Sequence, residues 1–255
     1  MSSTKQPPEE LELCNKEELL QQKRDVLAEL ELSFSTLQAK LRSFSIEYYL
    51  KVGSKYVQID QLQATLDKIL LSKIPFDTNA KKRATESKER AEQSARDAEE
   101  FKVEHDNKRS RFEATPELRA LYRELAKLLH PDLTLDPSEK TRRHSLMQLI
   151  NQAYQAGNIK KLQEIMDSEK NNPDNVRGDD IGSALVRVIR KIAQVEKRII
   201  DLEGELNELR KTDLCVLFEC VTKQRQNGKD LLEEMATEQN SRITFLKQQM
   251  ERENR

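Results

Sequence analysis

Apolar positions recur at alternating steps of three and four along most of this chain, and charged residues fill the positions between them. The first stripe runs through Leu20, Lys23 by its aliphatic stem, Leu27, Leu30, Phe34, Leu37, Leu41, Phe44 and Tyr48. That spacing is the seam of a coiled coil. The stripe continues through Val52, Tyr56, Ile59, Leu62, Leu66 and Ile69, interrupted by Gly53. A glycine costs about 1 kcal/mol in a helix interior, so one helix with a weak point and two helices with a bend both satisfy the pattern.

Pro75 disfavours helical geometry at Ile74, and Asp77 or Thr78 can cap the next helix, so a turn is predicted near 74–78. That next helix, to about Phe112, carries a stripe of small residues: Ala80, Ala84, Ala91, Ala95 and Ala98. Alanines let backbones approach closely, which predicts antiparallel packing on the preceding helix. A mostly solvated helix is the alternative, because alanine buries little area. Residues 169–178 read as a linker. Beyond it Ile181, Leu185, Val188, Ile192, Val195, Ile199, Leu202, Leu206 and Leu209 form the most regular heptad of the chain. From Asp179 or Asp180 to Arg210 that helix would span about 48 Å. Thr212-Asp213 is a break and cap, and a last helix comes after it with a polar middle at 223–228. The short connection favours an antiparallel hairpin within 179–255, with dimerisation in trans as the rival.

Two shorter amphipathic helices lie between these arms. Leu118, Leu121, Leu125 and Leu128 or Leu129 make one stripe; Met147, Ile150, Ala153 and Tyr154 make the other. Thr115 can cap the first helix, Pro116 suits its first turn, and Pro131 stops it. The sequence therefore predicts a small hairpin whose loop, with His130, Pro131 and Asp132, projects rigidly from one end. Arg119, Arg123 and Lys127, spaced at four, predict an exposed basic ridge leading to that loop, a surface suited to an acidic partner.

Composition agrees with long helices: 35% of the 255 residues are charged, there is no Trp, and only 6 Gly and 7 Pro occur. The fold class is read as all-α and elongated. The division is a disordered tail over 1–12, coiled-coil helices over 13–112, a hairpin domain over 113–168, the linker, and a second coiled-coil region over 179–255. With 44 basic and 45 acidic residues, there is no general electrostatic drive toward nucleic acid or a membrane surface. The apolar core of a signal peptide and any run of about 20 apolar residues are both missing. Cys14, Cys215 and Cys220 are scattered and odd in number, which fits a reducing compartment. Cys215 and Cys220 are read as buried or half-buried helix residues. The expected location is the cytoplasm. No nucleophile motif or phosphate loop occurs, and His105, His130 and His144 lack metal-ligand spacing. The expectation is a non-enzyme without cofactor or metal.

A basic helix ending in His130-Pro131-Asp132, a polar spacer, and a helix carrying Asn151-x-Ala153-Tyr154 resembles the J-domain (DnaJ-like) co-chaperone family, over about one fifth of the chain. The resemblance implies docking on a DnaK-type ATPase chaperone and stimulation of its ATP hydrolysis. Asp132 would pair with a partner arginine. His130 and Pro131 would meet the partner's interdomain linker, and Tyr122, Arg123, Lys127 and Arg119 would face its acidic surface. Leu125, Ala126, Ile150, Ala153 and Tyr154 match family core positions. The chain departs from the family in lacking the usual Tyr-x-x-Leu-Gly first helix, whose place the end of the coiled-coil helix near Phe112 could fill. Ala120, Glu124 and Leu133 stand where basic residues are common. No glycine/phenylalanine-rich linker or zinc repeat is present, which points to a specialised co-chaperone whose arms hold an unknown client or a second copy. The rival is a coiled-coil adaptor in which the J-like hairpin is a spacer or static dock.

Overall fold

Local signals set the helix ends. The computed structural model describes residues 8–105, 112–170 and 181–254, and its regular elements there are all helical. They are α1 (Pro8–Tyr48), α2 (Ser54–Lys73), α3 (Thr78–His105), α4 (Pro116–Leu129), α5 (Pro137–Gln155), α6 (Ile159–Lys170), α7 (Ile181–Lys211), α8 (Asp213–Gln226) and α9 (Leu231–Glu253). The Thr115 side chain accepts from the Leu118 N–H and caps α4, with Pro116 in its first turn. Asp136 caps α5 and Asp230 caps α9 in the same way. Gly228, at φ +75°, closes the break between α8 and α9, so the single last helix expected from the sequence is two.

Several boundaries differ from the sequence reading. Residues 8–12, expected as tail, are already in α1, and Glu169 and Lys170 end α6 rather than opening a linker. The rest of the expected tail and linker, with Asp179 and Asp180, lies outside the described residues. At Gly53 the chain stays helical through one π turn, Tyr49–Gly53. A Cβ on Gly53 would come within 3.0 Å of the Tyr49 ring. That ring lies 4.4 Å from Phe101, so the missing side chain makes room for an aromatic pair.

The chain condenses into two units, each built from two separated stretches: Met1–Lys40 with Phe112–Thr212, and Leu41–Arg111 with Asp213–Arg255. A two-helix hairpin has little interior of its own. In the first unit Ala28 and Leu32 of α1 complete a core with Leu118, Tyr122, Leu125, Ile150, Tyr154 and Leu162. A different face of α1, with Leu20 and Leu27, packs on Val188, Ile192, Val195 and Leu202 of α7.

In the second unit α2 and α3 are antiparallel, since Tyr49 meets Phe101 and Asp60 meets Ser94. Ala80, Ser87, Ala91 and Ala98 are buried, the close packing that the alanine stripe allows. Ala91→Leu is expected to destabilise this unit by about 2 kcal/mol through overpacking, measured by urea unfolding. Helix α9 runs parallel to α2, because Lys51–Asp230, Lys55–Asn240 and Lys73–Glu253 advance together. Ile59, Leu66, Ile243 and Leu246 lie between them. The apolar stripe of α7 thus packs on α1, and that of α9 on α2. Cys215 is buried on α8, whereas Cys220 is exposed, contrary to the sequence reading.

Candidate functional site

The α4–α5 hairpin forms as its stripes predict, and the His-Pro-Asp turn joins its helices. Pro131–Leu133 is one 3-10 turn, closed by the Leu133 N–H donating to the His130 carbonyl at 3.0 Å. The Asp132 N–H donates to His130 Nδ1 at 3.2 Å. An accepting Nδ1 leaves the ring proton on Nε2, which faces Glu31 Oε1 at 3.0 Å. Arg198 of α7 meets the same oxygen at 3.2 Å. Burial pushes the Glu31 carboxyl upward, but the hydrogen bond from His130 and the charge and hydrogen bond of Arg198 outweigh it. The group titrates below the ordinary glutamate range.

His130 is therefore not at a projecting tip: it is 3% exposed. Leu133 is buried beside α1 and α7. An unpaired cation at that buried position would cost free energy. Asp132 remains at the edge, paired with Lys140 at 3.0 Å. A cleft of about 530 Å³ opens beside it, lined by Pro131, Lys140, His144 and Gln148 among others.

The basic ridge is largely occupied. Arg123 pairs with Glu29, and Lys127 pairs with Asp25 at 2.7 Å. The partners step down α1 as the cations step up α4, so the two helices are antiparallel. Arg119 stays exposed. Tyr122 is wholly buried; its hydroxyl meets Ser35 at 2.9 Å and donates to Asn151 Oδ1 at 2.7 Å. The sequence reading of Tyr122 as a surface residue is corrected here: its position is on the stripe side of α4, between α1 and α5. Burial first, then the Glu31 charge, pushes its hydroxyl well above the ordinary tyrosine range. Tyr154 meets Thr36 at 2.7 Å and packs against Tyr122 and Phe112. Phe112 and α1 together thus flank the hairpin.

Sequence reasoning missed Glu31, Ser35, Thr36 and Arg198. A signal existed for the first two: Ala28, Leu32, Ser35 and Ala39 form a second, mixed stripe at steps of four, three and four, with Glu31 beside it. Among the described residues no group of three or more His, Cys, Asp or Glu is gathered as a metal site. No helix there is long and apolar enough to cross a membrane. Comparison with family models, curated proteins and solved structures returns no match to this chain.

Proposed function

We propose that this chain is a specialised J-domain co-chaperone whose docking face is partly closed by its own helix α1. The observation that carries the reading is the His-Pro-Asp turn itself. It is fixed by its own hydrogen bonds at the end of a basic helix, with the Asp132 carboxylate at the edge of an open cleft. A DnaK-type ATPase would engage Asp132 and Pro131 from that cleft, through an arginine and its interdomain linker. Its acidic surface would compete with Asp25 and Glu29 for Lys127 and Arg123. Full engagement of His130 requires α1 to move. A cytoplasmic setting goes with this reading. A client, or a second copy of the chain, would meet side chains the helix pairings leave outside, such as Phe76 in the turn between α2 and α3.

The burial of His130 favours a second reading, a helical adaptor in which the turn is structural. ATP turnover by a DnaK-type chaperone separates the two. It would be measured with wild type, Asp132→Asn, and the pair Asp25→Asn with Glu29→Gln. The paired residues form exposed ion pairs worth about 0–1 kcal/mol each, so their loss leaves the fold intact. Expected are modest stimulation by wild type, none by Asp132→Asn, and greater stimulation by the double variant. No stimulation by wild type or the double variant, both with full helical signal, leaves the adaptor.

A further inference from the structure

A second cavity of the first unit, of about 220 Å³, is walled by Arg24, Lys127, Arg142, Arg143 and Lys191, with Glu169 the one carboxylate among them. Leu129 and Leu133 supply an apolar side. Three of the five cations have partners. Lys127 meets Asp25 at 2.7 Å, Arg142 is held by Glu139 and Glu169 at 2.8 Å, and Arg143 reaches Glu139 at 2.8 Å. Arg24 and Lys191 have no ion pair among the described residues, and the Arg24 Nε is shielded from solvent without an acceptor. Enclosing such a donor costs free energy unless something accepts from it.

The electrostatics describe the same deficit. Burial, and then the Arg143 charge, holds the Arg24 guanidinium below its ordinary value. Burial and the charges of Arg24, Arg143 and Arg187 hold the Lys191 ammonium down. Arg24 on α1 and Lys191 on α7 thus face the same cavity as the paired Arg142 and Arg143 of α5, without a carboxylate of their own among the described residues.

We propose that this cavity is a binding site for a small phosphate-type oxyanion, either free phosphate or the phosphoryl end of a small phosphomonoester. A tetrahedral dianion offers acceptors in several directions and suits guanidinium forks better than a single carboxylate does. It would accept from Arg24 Nε and bridge it to Arg143 and Lys191. The site does not rest on the co-chaperone reading, although Lys127 borders both surfaces.

Calorimetric titration of the full chain tests it, with inorganic phosphate in one arm and glycerol phosphate in the other. Ionic strength is held constant with chloride. Saturable binding of one equivalent is expected, weakened about tenfold in Arg24→Gln and in Lys191→Gln, the loss typical of one charged hydrogen bond. Lys191→Gln keeps the test sound should Arg24→Gln fold poorly. Tighter binding of phosphate assigns the site to the free ion, and tighter binding of glycerol phosphate to an ester; either supports the proposal. No saturable heat with either probe overturns it, as does binding that neither substitution weakens.

Discussion

Tyr154→Ala is expected to cost the first unit about 4 kcal/mol, in the range for deleting a buried aromatic ring. Tyr154 is fully buried. Its ring centroid lies 4.6 Å from that of Tyr122 and 5.5 Å from that of Phe112. Its hydroxyl reaches Thr36 at 2.7 Å, tying α5 to α1. Removal opens a cavity at the point where α1, α4 and α5 converge. Tyr154→Phe keeps the ring and loses the hydroxyl, and is expected to cost about 1 kcal/mol. Urea unfolding of both variants measures the difference. Equal, small losses would mean that the ring is not the centre of this core. A large loss in Tyr154→Phe would mean that the α1 hydrogen bond dominates.

Glu31→Ala is expected to cost about 3 kcal/mol, because removing the buried carboxylate leaves the buried imidazole N–H without an acceptor and Arg198 without its counter-charge. The Glu31 side chain is 7% exposed and that of His130 is 3% exposed, while Arg198 at 27% can still reach water. The imidazole bears most of the loss. Asp132 is held to that imidazole through its backbone, so the same change loosens the candidate docking turn.

The carboxyl also sets a pH dependence. Its folded value lies below the ordinary glutamate value of about 4.3. Its contribution is therefore fully present above that value and is lost as pH falls through the depressed folded value. Wild type should lose stability on acidification below about pH 4 more steeply than Glu31→Gln does, in melts compared at each pH. Parallel curves for the two proteins would show that Glu31 is not the linked group. Glu139, held at about 2 by Arg142 and Arg143, contributes to both curves alike and drops out of the difference.

The helices themselves were legible in the sequence because they obey local rules. Thr115-Pro116 starts α4, Pro131 ends it, Asp213 opens α8, and the hairpin residues Leu118, Leu125, Ile150 and Tyr154 fall on stripes that must be buried somewhere. The all-α fold comes from the same periodicity, and so does the position of the His-Pro-Asp turn between two helices. Pairing was not legible. A stripe of Leu and Ile states that a helix needs a partner, and the stripes of α1, α2, α7 and α9 are chemically interchangeable. Which two meet depends on the whole set of burials at once. Only the tertiary structure places α7 on α1 and α9 parallel to α2, because each α1 face is complementary to a different set of distant residues. The candidate site divides in the same way. His130, Pro131 and Asp132 are contiguous and could be read directly. Glu31 and Arg198, far from His130 in sequence, reach it only when α1 crosses the hairpin and α7 closes over α1. That crossing turned an expected surface histidine into a buried one, since an imidazole beside an antiparallel acidic helix gains a hydrogen bond there without leaving a charge unpaired.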